Sequence, residues 1–326
     1  MKFLIQRTVA INLLLGLLLL ITQPILARSN VSWRVWVAQL RHEAIAEGIN
    51  PQLFDYIFSE MQPSKKHIRY DRNQPETRLT YYKYRNTRGN QYRIILGRKE
   101  YSKHKQLIDK IGTQYGVDPC FIVTIWGMES SFGRFVGDFD VIRSLATLAY
   151  DSRRSEFFRK ELLLALRMVN DGHIALEDFK GEWAGASGQA QFLPSSWYKY
   201  AVDYNLDGRK DIWRTYSDIF ASIANYLREN GWQYKQPVLV EVILPVHFNN
   251  YLLDLDNIKT VREWRYLGVR IKSGQPVPDE NLLASIIQLY GGPPMMIFNN
   301  FRVLLSWNYS LFYAGTVNYV ANKICP

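Results

Sequence analysis

Between Asp118 and Arg134 the chain reads DPCFIVTIWGMESSFGR, a run whose apolar positions leave almost no polar side. Asp118 and Pro119 supply an N-cap and a first-turn proline, and the run stops near Gly133, so the pattern predicts one short helix. Phe121, Ile122, Val123, Ile125, Trp126 and Met128 occupy nearly its whole circumference, as in a helix buried on most sides. Upstream, VWVAQLRHEAIAEG spaces apolar residues by three and four before Gly48, and Lys99 to Tyr115 reads as an amphipathic helix. VIRSLATLAY, EFFRKELLLALRMV and SDIFASIANYLREN predict further helices, the last starting at a Ser217 cap and ending before Gly231. The pattern changes at Pro237. VLVEVILPVHF and WRYLGVRI are rich in β-branched and aromatic residues and predict strands of a small inserted sheet. IFNNFRVLLSW is expected to add a hairpin strand or two before a final helix over Ser310 to Lys323. The chain is thus mainly α, with neither internal repeat nor low-complexity tract.

Glu129 is the lone carboxylate of the buried run and falls in its last turns. Burial penalises the charged form, and the negative end of the helix dipole acts in the same direction. Both effects favour a protonated acid near neutral pH, which is the property of a general acid. The competing reading is a structural glutamate, ion-paired with Arg134 or capping a neighbouring loop.

The first residues, MKFLIQRTVAINLLLGLLLLITQPILA, carry Lys2 and Arg7, an apolar core from Ile11 to Ile21 and a small Ala27 at a cleavage position. They read as a secretory signal peptide over 1–27, with an uncleaved N-terminal anchor as the alternative. Removing Lys2 and Arg7 takes the formal charge from +10 to +8. A basic exported protein suits a polyanionic envelope polymer, and nucleic acid is excluded as a partner by the compartment. Cys120 and Cys325 fit no metal spacing. Two free buried thiols are expected, with a disulfide between the start of the Glu129 helix and the C-terminus as the alternative.

Taken together, WGMESSFGR, VIRSLATLAYDSRR, GEWAGASGQAQFLPSSWYKYAVDYNLDG, SIANYLRENGW and NFRVLLSWNYSLFYA resemble, in order, the blocks of the lytic murein transglycosylase B family. The resemblance runs from about Val31 to the C-terminus and is most specific between Val123 and Trp232. It implies a lysozyme-like helical core, a helical lobe beside it and a small β insertion. The divisions expected are a helical lobe over 28–95, the core over 96–235, the insertion over 236–276, and strands and a helix completing the core over 277–326. It also implies cleavage of the β-1,4 bond between N-acetylmuramic acid and N-acetylglucosamine without water, leaving a 1,6-anhydromuramyl end in the periplasm. One glutamate, Glu129, then serves as acid and base, and neither metal nor organic cofactor is required. Glycan strands of peptidoglycan are the partner implied; other cell-wall enzymes are left open, and a monomer is expected.

Further residues match family positions. Gln191, in a glycine-rich segment, corresponds to a groove glutamine whose amide can both donate and accept hydrogen bonds with a sugar. Tyr226 and Tyr313 correspond to groove tyrosines and Asn308 to a groove asparagine; core tyrosines and a turn asparagine are the structural alternatives. Glu182 departs from the family, which has Ser after the Lys-Gly pair. A second carboxylate there would raise the Glu129 pKa or position water, and otherwise points to solvent. DYNLDGRKDIWR resembles a calcium loop, with Asp203, Asn205 and Asp207 at alternate positions, the Arg209 carbonyl, and Asp218 farther on. Arg214 occupies the place of the usual bidentate glutamate, so a structural calcium and a metal-free turn both stand.

Overall fold

The computed structural model describes residues 31–72, 79–151 and 154–325, and the export segment expected over 1–27 lies outside them. The helical period of the first third becomes α1 (Trp33–Ala46), α2 (Pro51–Phe58), α3 (Lys65–Arg72), α4 (Tyr81–Arg88) and α5 (Gln91–Tyr115). The long helix α5 starts at Gln91 rather than Lys99, because the Asn90 side chain accepts the Arg93 N–H as a cap. Then come α6 (Pro119–Ser130), β1 (Phe139–Asp140), α7 (Val141–Asp151), α8 (Ser155–Asn170), β2 (Lys180–Gly181), α9 (Pro194–Tyr200) and α10 (Tyr216–Glu229). Thr215, not Ser217, precedes α10; Ser217 lies in its first turn and donates its hydroxyl to Asp218. The last third is β3 (Leu239–Ile243), β4 (Lys259–Thr260), α11 (Val261–Tyr266), β5 (Arg270–Ile271), β6 (Leu283–Gln288), β7 (Pro294–Ile297), α12 (Asn299–Trp307) and α13 (Leu311–Ile324).

The helix α6 has the expected cap: Asp118 accepts the Cys120 N–H at 2.9 Å, with Pro119 in the first turn. Its residues from Phe121 to Gly127 are buried, and it packs against α5, α10 and α13. A helix apolar all round needs neighbours on every side, which is why α6 sits at the centre of the bundle.

Two predicted strands are helical. WRY, placed in a strand by its aromatic content, is the end of α11, which is nucleated by a capping box between Thr260 and Glu263 and buries Val261 and Trp264 on one face. NNFRVLLSW forms α12 because Phe301, Leu304 and Leu305 share a helical stripe against the core, and only the residues before it enter a strand. The observed sheet has order β4-β6-β7-β3-β5 with every pair antiparallel, so strands on both sides of residue 276 share one sheet. Its alternation divides two cores: Ile287, Met295 and Ile297 join the main core, while Val240, Val242, Ile286 and Met296 join a smaller one around Trp264.

The expectation of two free thiols is corrected. Cys120 and Cys325 are disulfide-bonded, with Cα atoms 5.9 Å apart. The helices α6 and α13 pack antiparallel, bringing the start of one beside the end of the other, a juxtaposition across 205 residues that no local pattern reveals. Among the described residues, no helix is long and apolar enough to cross a membrane.

Candidate active site

Glu129 occupies the last turn of α6 and is half-buried. Its carboxylate Oε1 accepts two hydrogen bonds from the C-terminal helices, one from Trp307 Nε1 at 2.8 Å and one from the Tyr313 hydroxyl. Trp307 ends α12 and Tyr313 stands in the first turn of α13, so the two donors flank the short turn between these helices. Oε2 has no protein hydrogen bond among the described residues. One oxygen is therefore anchored while the other is free for a reacting group.

Burial raises the Glu129 pKa, opposed in turn by the bonds from Tyr313 and Trp307 and by the nearby charges of Arg93 and Arg88. Tyr313 is pushed well above its ordinary value, first by burial and then by the Glu129 charge, so it remains a donor. The alternative pairing of Glu129 with Arg134 is not formed: Arg134 bonds the Tyr92 hydroxyl at 2.9 Å and pairs with Glu100 at 3.7 Å.

The chain leaves α6 through a turn in which Ser131, Phe132 and Gly133 all have positive φ. Phe132 folds back over Gly127, where a Cβ would collide with its ring. At Gly133 a side chain would strike the Gln189 amide. Gln189 is buried, its Oε1 accepting from Trp126 Nε1 at 2.8 Å and its Nε2 donating to the Trp213 carbonyl at 2.9 Å. It thus joins the helix beneath the acid to the two following loops. Sequence reading missed Gln189 and Trp307; the first stands two residues before Gln191 in the glycine-rich segment, and the second directly precedes Asn308.

Of the sequence-derived residues, Tyr313 touches the acid and Tyr226 touches its donor Trp307, while Asn308 and Gln191 are chain neighbours of Trp307 and Phe192. Tyr313 bonds the acid directly. The Tyr226 ring lies 4.6 Å from that of Trp307, its hydroxyl donates to the Ser306 carbonyl, and burial lifts its pKa to about 12. Asn308 is the exposed C-cap of α12, one residue beyond Trp307. Gln191, itself at φ 51°, donates Nε2 to the Val136 and Gly188 carbonyls, and its neighbour Phe192 packs 5.5 Å from Trp307. Glu182 is exposed, with its N–H donated to the Ala186 carbonyl.

The acidic loop closes on itself. Asp203 accepts the N–H groups of Asp207 and Gly208, and Asn205 donates to Asp207. Arg209 donates its N–H to Asp207, and Arg214 pairs with Asp178. The carboxylate of Asp218, fully buried, is taken by the N–H groups of Tyr204 and Asp211 and by the Ser217 hydroxyl. Burial raises its pKa, whereas a calcium ligand must be ionised. Among the described residues no group of three or more acidic, His or Cys side chains is disposed to hold a metal. In this arrangement the side-chain oxygens of Asp203, Asp207 and Asp218 accept backbone N–H groups.

A cavity of about 860 Å³ opens elsewhere, between α2, the end of α8 and the segments around His173 and Trp213. Its lining includes Arg209 of the acidic loop but not Glu129, Trp307 or Tyr313.

Residues 32–322 match the family described as Transglycosylase SLT domain. Over 133 residues the chain is 38% identical to the membrane-bound lytic murein transglycosylase B of Escherichia coli strain K12, covering 40% of this chain and 37% of that protein. The alignment thus spans little more than a third of that curated relative's length. Among solved structures, SltB3 from Pseudomonas aeruginosa in complex with NAG-anhNAM-pentapeptide has a TM-score of 0.85 at 38% identity, covering 90% of this chain and 79% of that one. SltB1 from the same organism reaches 0.81 at 27%, covering 89% and 98%. Escherichia coli lytic transglycosylase Slt35 in complex with calcium reaches 0.78 at 26%, covering 88% and 92%.

Proposed function

The chain belongs to the transglycosylase SLT domain family, and we propose that it is a lytic transglycosylase cleaving the β-1,4 bond between N-acetylmuramic acid and N-acetylglucosamine in peptidoglycan. The observation that carries the reading is the Glu129 carboxyl, with Oε1 anchored by Trp307 and Tyr313 and Oε2 without a hydrogen bond among the described residues. Glycoside hydrolysis ordinarily uses two carboxylates. Here one suffices: protonated Glu129 gives its proton to the leaving oxygen as the C1–O4 bond breaks, and the sugar's N-acetyl oxygen closes on C1. The resulting Glu129 carboxylate then takes the proton of the 6-hydroxyl, O6 attacks C1 as the N-acetyl oxygen departs, and a 1,6-anhydro ring forms. The acid ends as it began, and no water enters.

Gln191, Tyr226, Asn308 and Tyr313 are the residues we assign to the glycan, with Tyr313 also fixing the acid. The N-terminal segment 1–27 exports the chain to the periplasm. Mass spectrometry of sacculi digested by the mature protein tests the reaction: anhydromuramyl ends are expected, and reducing ends in their place would establish a hydrolase.

Because burial raises the Glu129 pKa, kcat/KM is expected to persist above the ordinary glutamate range and to fall as the acid ionises at higher pH. A limb at the ordinary value of about 4.3 would contradict the assignment. Glu182→Ser is expected to leave both this profile and the product ends unchanged, since Glu182 faces solvent. A change in the proportion of reducing ends would instead make Glu182 a second carboxylate of the site.

The acidic loop is read as a hydrogen-bonded turn. Titrating calcium into chelator-treated protein is expected to move Tm by no more than about 1 °C, because an ion that does not bind the native state does not stabilise it. A rise of several degrees at millimolar calcium would show the ion displacing the bonds held by Asp203, Asp207 and Asp218.

A further inference from the structure

Arg93 stands in the first turn of α5, where Asn90 caps its N–H, and its half-buried guanidinium reaches the far end of α6. Nη2 donates to the Ser131 hydroxyl at 3.3 Å, while Nη1 donates to the Arg88 carbonyl and lies 3.9 Å from Met128 Sδ. Met128 and Ser131 bracket Glu129 in the chain. Ser131 and Phe132 are both left-handed, with φ 49° and 62°, a conformation that is strained for a non-glycine residue and persists only when its surroundings hold it. The guanidinium also sits at the negative end of α6, where a cation is favoured.

The groups acting on the Glu129 carboxyl come from α4, α5, α12 and α13. Tyr313 on α13 and Trp307 on α12 donate to Oε1, and the positive charges acting on it are Arg93 on α5 and Arg88 at the end of α4. Tyr84, on α4, acts on both Tyr313 and Arg93. Arg93 is the cation whose side chain is bonded to the turn that ends the acid's own helix. Burial and then the neighbouring Arg88 charge work against its charge, and Tyr313 and Glu129 help to retain it.

We propose that Arg93 is a positioning residue of the acid, clamping the left-handed turn after α6 and keeping a fixed positive charge beside Glu129 through both proton transfers. The inference rests on Glu129 being the acid and base of the reaction. Once the proton has left, a carboxylate stands in a poorly solvated site, and a preorganised cation stabilises it without reorganisation. Before that step, the same charge makes Glu129 a stronger acid than burial alone would allow.

The test is the titration of the Glu129 carboxyl, followed by difference infrared spectroscopy and assigned by its absence in Glu129→Gln, beside the pH profile of kcat/KM. Arg93→Met removes charge and fork, Arg93→Gln removes the charge but keeps a donor for Ser131, and Arg93→Lys keeps the charge alone. The Met and Gln variants are expected to raise the Glu129 titration by about one pH unit, carrying the alkaline limb with it, and to lower kcat about tenfold. Arg93→Lys is expected to titrate as the wild type while losing a few-fold in kcat. Should Arg93→Met not fold, Arg93→Gln decides. A titration unmoved in Arg93→Gln, whatever its activity, would overturn the inference and leave Arg93 a structural cap. Full activity in Glu129→Gln would instead refute the acid assignment, so the two failures are separable.

Discussion

Glu129→Gln is expected to reduce the release of anhydromuramyl products by about a thousandfold, because one group supplies both the proton for the leaving oxygen and the base for the 6-hydroxyl. An amide can do neither, yet it preserves the local geometry, since its carbonyl oxygen can accept the bonds from Trp307 and Tyr313. The stability change distinguishes loss of chemistry from loss of fold. The folded-state pKa of Glu129 lies above its unfolded value. The native state therefore incurs no ionisation penalty below the ordinary glutamate range, loses stability as pH rises from there to the raised folded pKa, and bears the full penalty above it. Glu129→Gln removes that penalty, so Tm above the folded pKa is expected to equal or exceed that of the wild type. Residual activity within tenfold of wild type, measured on the same sacculi, would show that another group carries the reaction.

The second large effect concerns the Cys120–Cys325 bridge. Replacing Cys325 by Ser releases a loop spanning a sequence separation of 205, for which chain-entropy arguments give about 5 kcal/mol of lost stability, an upper figure for a denatured state with residual structure. In a chain of this size the corresponding fall in Tm is roughly 10 °C. Calorimetry of the variant, and of the wild type with a reductant, measures it; both should melt at the same lower temperature. The position of the bridge also couples stability to the site. It pins the end of α13 to the start of α6, while at the opposite ends of the same helices Tyr313 meets Glu129. A variant with unchanged Tm would show that helix packing alone holds this pair together.

The legibility of the site differed among its parts for identifiable reasons. Gln191, Tyr226, Asn308 and Tyr313 were reached through family resemblance; in the structure Tyr313 bonds Glu129 and Tyr226 packs on Trp307, while Asn308 follows Trp307 in the chain and Gln191 precedes Phe192, which packs on Trp307. Asn308 could as well have been a turn residue, since its cap position accounts for it locally. The strand expected over WRYLGVRI shows the limit of composition: aromatic and branched residues favour strands on average, but the Thr260–Glu263 capping box and the spacing of Val261 and Trp264 prevail in α11. Asp218 matched a ligand position, and in the structure it is buried with its carboxylate on backbone donors.

The features legible along the chain are local: the cap and first-turn proline of α6, its apolar circumference, and a single carboxylate in its last turn. Caps and periodicity act within one or two turns, so they can be read without knowing what packs outside. Only the tertiary structure decided that Trp307 and Tyr313 converge on one oxygen of Glu129, that Gln189 bolts the helix to the loops beyond it, and that Cys120 meets Cys325. Those partners lie 178, 184, 63, 24 and 205 residues apart along the chain, and their encounters depend on how α6 is enclosed by its neighbours. The acidity of Glu129 belongs to both: its placement is written locally, and its raised pKa is set by the burial that packing creates.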